Sequence, residues 1–162
     1  MKTVAISILG TKLDHKRVGN KRWQVWRPNI GICQQDNLAL DKIVLLYHAK
    51  DQTLLDLICA DIATIKPEIE IDSHVLSCTN LWDFEQVYSD LFDFAKGFDF
   101  DHESEKYLIH ITTGTHVAQI CLYLLTEANY LPGKLLQSSP LYGEKDPRGT
   151  YQIIDLNLSK YD

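Results

Sequence analysis

The chain has 162 residues, 45% of them apolar and 23% charged, the balance of one ordinary globular domain rather than a disordered or fibrous segment. No apolar run approaches the roughly 20 residues of a membrane-spanning helix, and a formal net charge of −6 argues against a generally basic nucleic-acid protein. The four cysteines, Cys33, Cys59, Cys78 and Cys121, are widely spaced and form no CxxC pair, so reduced, mostly buried thiols in a cytoplasmic protein are expected, with no zinc or other metal site.

In chain order, "KTVAISIL" is a β-branched apolar run ended by Gly10. It reads as a buried first strand rather than a secretory signal, since no small-residue cleavage site follows. Residues 10–27 are polar, basic and rich in turn formers, a long loop, and Pro28 suits the first position of a short helix. "KIVLLY" (42–47) is a second buried strand, and Leu54, Leu57, Ile58, Ile62 and Ile65 recur at helical spacing until Pro67. "EIEIDSHV" (68–75) alternates as a half-exposed edge strand does. Asn80, with Asp83 three residues later, reads as the N-cap of a helix whose apolar stripe is Phe84, Val87, Tyr88, Leu91, Ala95 and Phe98. "YLIHIT" (107–112) is a fourth strand. Val117, Ile120, Cys121, Leu124, Leu125 and Ala128 predict a helix apolar nearly all round, hence well buried. "KLLQS" (134–138) and "YQIIDL" (151–156) are later strands, joined by a loop with Pro140, Gly143, Pro147 and Gly149.

Strands alternating with helices predict an α/β fold with a mostly parallel sheet and helices on both faces. In the commonest order of this class, 3-2-1-4-5-6, strands 1 and 4 are neighbours where the winding reverses. Ligands bind there, outside the carboxyl ends of the strands. The loops after strands 1 and 4 are therefore the expected functional ones. After strand 4, "TTGTH" offers hydroxyls of Thr112, Thr113 and Thr115, a permissive turn at Gly114, the free amides of a helix N-terminus and His116, a set suited to a phosphate. After strand 1, Gly10 permits close approach, Thr11 brings a hydroxyl and Lys12 a mobile charge.

The charge is uneven. Residues 1–27 hold seven Lys and Arg (Lys2, Lys12, Lys16, Arg17, Lys21, Arg22, Arg27) against Asp14, a local +6, which leaves −12 on the other 135 residues. The loop runs on into "KRWQVWR", where guanidinium planes and the Trp23 face suit stacked bases. The competing readings are a solvated basic loop balancing an acidic body, and Trp23 and Trp26 as anchors, which for Trp26 is the stronger reading. Familiar catalytic signatures are missing: no GxGxxG follows strand 1, and there is no GxxxxGK[ST], GxSxG or HExxH. His110, inside a strand, reads as a satisfied core or interface histidine.

"RWQVWRP", "CQQDNL", "WDFEQVYSDLFDFAKGF", "YLIHITTGTHVAQI", "LLQSSP" and "IIDLNLSKYD" together closely resemble the amino-terminal region of RtcR-type bacterial transcription activators, across essentially the whole chain. The resemblance implies a CARF domain: a Rossmann-like sensor of about six strands, spanning 1–162 and working as a homodimer. Relatives elsewhere bind cyclic oligoadenylates, whereas the RtcR type implies a response to RNA fragments with 2′,3′-cyclic phosphate ends. It further implies a following AAA+ ATPase acting on polymerase with an alternative sigma factor, and a helix-turn-helix that binds DNA. The chain ends at "LSKYD" without a Walker A sequence, so the sensor alone is expected. Many CARF relatives carry Lys after the Gly-Thr turn where this chain has His116, an imidazole in place of a permanently charged ammonium.

Three expectations follow. In the first, phosphate sits on Gly10, Thr11, Lys12, Thr112, Thr113, Gly114, Thr115 and His116, and RNA runs along Lys16, Arg17, Lys21, Arg22, Trp23 and Arg27; no cofactor, metal or catalytic residue is involved. In the second, the domain opens a phosphodiester ring without metal, using His116 as acid or base and Lys12 and Thr115 to stabilise charge. In the third, it is a dimerisation and inhibitory module with no ligand of its own.

Overall fold

A computed structural model describes residues 1–141 and 146–155. Six strands form one sheet: β1 (Lys2–Ile8), β2 (Lys42–His48), β3 (Glu70–Leu76), β4 (Glu105–His110), β5 (Lys134–Ser139) and β6 (Thr150–Ile154). Their order is β3-β2-β1-β4-β5-β6. All neighbours are parallel except β5 and β6, which are antiparallel. The expected order holds, and β3 is the half-exposed edge its alternation predicts. At the centre, Val4 of β1 lies between Lys42 of β2 and Tyr107 of β4.

Helices cover both faces, as fully apolar central strands require. On one face α1 (Pro28–Gln34) and α2 (Gln52–Ile65) bury Ile30, Ile32, Leu55, Ile58 and Ile62 against Ala5, Ile43 and Leu45. On the other, α3 (Phe84–Gly97) and α4 (His116–Glu127) bury Val87, Leu91, Cys121, Leu122 and Leu125 against Val4, Ile6, Val44 and Ile109. Each fully buried Leu or Ile contributes about 1.5–3 kcal/mol.

Several local expectations need correction. Asp83, not Asn80, caps α3: its carboxylate accepts from the Glu85 and Gln86 amides at 3.0 and 3.3 Å, because it sits one residue before the first helical position. Asn80 instead accepts from the Trp82 amide at 3.1 Å. Helix α4 is not buried all round, for Ile120 and Leu124 are 49% and 38% exposed. The loop over residues 10–27 contains two 3₁₀ segments, Leu13–His15 and Gly19–Gln24. Strand β6 ends at Ile154; Leu156 of the expected strand, Gly143 of its loop and the tail "LNLSKYD" lie outside the described residues. All four cysteines are free thiols, with Cys33 and Cys121 buried and Cys59 and Cys78 half-buried.

Candidate functional site

Since β1 and β4 are neighbours, the loops leaving their carboxyl ends meet. Gly10, Thr11, Lys12 and Leu13 line one wall of a cleft of about 360 Å³, and Thr112, Thr113, Gly114, Thr115 and His116 line another. Gly114 turns the chain into α4 with φ +91°, a conformation that glycine adopts without cost. Gln119 pins the turn by donating to the Thr112 and Gly114 carbonyls at 3.3 and 3.1 Å. Gly10 is needed where the loops touch: a Cβ there would come within 2.9 Å of both Asp14 Oδ2 and Thr113 Cγ2.

The three threonine hydroxyls have structural partners. Thr112 Oγ1 accepts from the Ser138 amide at 2.8 Å, and Thr113 Oγ1 donates to the Ile8 carbonyl. Thr115 Oγ1 caps α4 by accepting from the Ala118 amide at 3.2 Å and donates to the Leu81 carbonyl at 3.1 Å. Each threonine therefore holds the turn in shape. What the turn offers an anion is backbone: the first amides of α4, which have no intrahelical acceptor. Lys12 and His116 are exposed at the mouth, and Lys12 is the one lysine or arginine among the described lining residues. The Trp82 ring, 61% exposed, lies 5.2 Å from the His116 ring.

Beneath the cleft runs a buried polar chain. His110, fully buried, joins Ser7 Oγ through Nδ1 at 2.9 Å and Ser138 Oγ through Nε2 at 2.8 Å, tying β1, β4 and β5 together. Burial lowers its pKa to about 3, so the imidazole is neutral. Ser7 also donates to Asn29 Oδ1, and Asn29 Nδ2 donates to Asp14 Oδ2 at 2.7 Å. Asp14 is 1% exposed and also accepts from the Gly10 amide at 2.8 Å. Burial raises its pKa, against the bonds from Asn29 and Gly10 that lower it. This acid shapes the first loop from behind and is not among the cleft-lining residues; Asp90 is.

The basic loop divides into two parts. Arg27 is 2% exposed and donates to Asp61 Oδ2 of α2 at 2.7 Å, and Arg22 reaches both Asp61 oxygens at 2.9 and 3.0 Å. Both guanidinium groups lie over the Trp23 ring, 5.2 Å away for Arg22 and 4.9 Å for Arg27. Asp61 is the hub, and although its burial opposes ionisation, the two arginines hold its carboxyl below the usual range. Arg22, Trp23 and Arg27, expected on an RNA-facing surface, are joined in this clasp, where the buried Arg27 has the carboxylate partner a buried charge needs. Trp26 is the expected anchor, seated against Gly149 between β5 and β6. Lys16, Arg17 and Lys21 remain exposed.

Among the lining residues not legible in the sequence are Trp82, His48, Cys78 and Asp90. Trp82 sits in a polar stretch before α3, and His48, Cys78 and Asp90 come from the end of β2, the segment after β3, and α3. Nε2 of His48 lies 3.3 Å from Cys78 Sγ, and Asp90 Oδ2 accepts from the Ser77 and Cys78 amides at 2.9 and 2.8 Å. A cleft at the switch point of a six-stranded, mostly parallel sheet makes this a doubly wound, Rossmann-like α/β domain.

Solved structures agree on the fold. Csm6 of Enterococcus italicus bound to cyclic hexa-2′-fluoro-hexa-dAMP superposes with a TM-score of 0.71 at 13% identity, covering 99% of this chain and 42% of that one. Can2 of Sulfobacillus thermosulfidooxidans in complex with cyclic tetra-adenylate gives 0.56 at 11% identity, covering 93% and 36%. Residues 1–162 match the family described as RtcR, Regulator of RNA terminal phosphate cyclase, and the chain belongs to that family. It is 50% identical over 163 residues to the transcriptional regulatory protein RtcR of Escherichia coli strain K12, covering 99% of this chain and 31% of that protein. The chain thus spans about a third of the length of this curated relative.

Proposed function

We propose that this chain is the ligand-sensing regulatory domain of an RtcR-type transcription activator, and that its ligand is an RNA end bearing a terminal phosphate, such as a 2′,3′-cyclic phosphate. One observation carries this reading: Gly10–Leu13 and Thr112–His116 line a single cleft at the β1/β4 switch point. The phosphate would lie on the first amides of α4 with Lys12 and His116 beside it, and the terminal base would stack on Trp82. Lys16, Arg17 and Lys21 would guide the RNA body by charge. Neighbours of the same fold bound to cyclic adenylates support a phosphodiester ligand.

The remaining parts of the proposal concern the longer protein. The domain would hold back an AAA+ ATPase until ligand binds, releasing it to act on RNA polymerase with an alternative sigma factor at DNA. It would do so as a cytoplasmic homodimer. The exposed Ile120 and Leu124, four residues apart on α4, support self-association. No described helix is long and apolar enough to cross a membrane.

The exposure of His116 at the cleft mouth favours a second reading, ring opening with His116 as acid or base. Thr115 contributes less to it than expected, since its hydroxyl proton is engaged with Leu81. Fluorescence anisotropy with RNAs ending in cyclic phosphate, 3′-phosphate or 3′-hydroxyl, and with cyclic tetra-adenylate, all in EDTA, separates the cases. The proposal expects salt-sensitive binding that favours the phosphate ends, leaves RNA intact and weakens at least ~10-fold in Lys12→Ala and Gly114→Val. Unchanged affinity in both variants ends it. Cleavage abolished by His116→Ala supports the second reading. Failure of every ligand, with repression of a tethered ATPase, supports a purely inhibitory module.

A further inference from the structure

His48 ends β2, Cys78 lies two residues beyond β3, and Asp90 is on α3, yet their ligand atoms all lie within 4.8 Å of one another. They are the one such group of three among the described residues. From the convergence of imidazole, thiol and carboxylate, we propose that His48, Cys78 and Asp90 bind a divalent transition-metal ion, zinc by preference, in the wall of the cleft.

The donor set selects the metal. A sulfur and an imidazole nitrogen with a single carboxylate suit zinc, whereas magnesium and calcium take oxygen ligands. Three protein ligands leave one tetrahedral position for water or an anion, the arrangement of zinc sites that stay open to substrate. All three residues line the cleft assigned above to phosphate. Both Cys78 and Asp90 also line a second groove with Glu85 and Asp93, whose acids attract cations.

The surroundings hold the group in place. Ser77 and Cys78 amides fix Asp90 Oδ2, while Asp90 Oδ1 receives the Ser77 hydroxyl at 3.2 Å. Such support orients a metal ligand. A thiol ligates as thiolate, so a metal must displace the Cys78 proton to bind. The site does not depend on the RNA-end reading and would stand if every RNA failed to bind.

Cobalt(II) is the direct probe, because thiolate ligation gives it a strong near-ultraviolet charge-transfer band. Titrating the tag-free chain should give one equivalent of cobalt with that band, bleached by zinc. Cys78→Ser should abolish the band. His48→Gln and Asp90→Asn, checked for folding by circular dichroism, should weaken zinc at least ~10-fold in chelator competition. Cys59→Ser, on another surface, should change nothing. Absence of the band in the parent chain, or its survival in Cys78→Ser, overturns the proposal.

Discussion

Two regions of this molecule carry the residues that recognise nucleic acid elsewhere, and they use them differently. The stretch from Lys21 to Arg27 has the stronger signature, with arginines flanking tryptophans. Its Arg22 and Arg27 are nevertheless spent on Asp61, with Trp23 against both guanidinium groups. The turn from Thr112 to His116 has no arginine and commits its hydroxyls to the backbone, yet it lines the cleft. Residue type alone did not separate them; partners did. A buried guanidinium with a carboxylate partner is structural, whereas the His116 and Val117 amides, ahead of the Ala118 amide that Thr115 caps, have no acceptor within the helix.

The largest expected effect breaks the clasp. Asp61→Ala leaves Arg27 buried without a counter-charge and should lower unfolding free energy in urea by about 3–5 kcal/mol. RNA affinity of the folded fraction should not change. A small loss of stability would mean that the loop rearranges freely.

Acid should act on the two regions in different windows. His110 has a folded pKa of about 3, below the ordinary 6.5. The unfolded chain therefore binds more protons, and stability falls by up to about 1.4 kcal/mol per pH unit as pH drops below 6.5 toward 3. The Asp61 carboxyl is depressed below 3.8, so its contribution is intact above that pH and is lost only as pH falls further. His110→Gln should flatten the slope of stability between pH 6 and 4, measured by thermal melts, while Asp61→Ala leaves that slope in place. A slope unaltered in His110→Gln would contradict a neutral buried imidazole.

Next in size is Gly114→Val. A β-branched residue at φ +91° should cost about 1–3 kcal/mol by denaturant titration. The same change should also reduce RNA binding, a pairing the clasp variants do not show. Smallest is the triple Lys16→Ala, Arg17→Ala, Lys21→Ala, which should alter stability by less than about 0.5 kcal/mol. It should flatten the salt dependence of RNA binding by about 0.7 per lost phosphate contact. An unchanged slope would remove these three residues from the RNA path.

The strand order was legible because β1, β2 and β4 are continuous apolar runs and β3 alternates. Alternation with helices then leaves few topologies. The cleft followed from that order, since β1 and β4 had to be neighbours. The burial of Arg27 was not legible, because its partner lies 34 residues away on α2. The His48–Cys78–Asp90 group is just as hidden, its members having no local spacing to mark them. Trp82 has no sequence signal, because a lone aromatic before a capping Asp83 carries no period. The exposed face of α4 escaped because Ile120 and Leu124 are as apolar as the buried Cys121 and Leu125.

The central claim is that ligand enters at the β1/β4 cleft rather than along the clasp, and tryptophan fluorescence tests it directly. The chain has three tryptophans, Trp23, Trp26 and Trp82. Titration with RNA ending in a 2′,3′-cyclic phosphate should quench emission in the parent chain and in Trp23→Phe, and should lose that quenching in Trp82→Phe. Quenching that persists in Trp82→Phe and vanishes in Trp23→Phe would contradict the account.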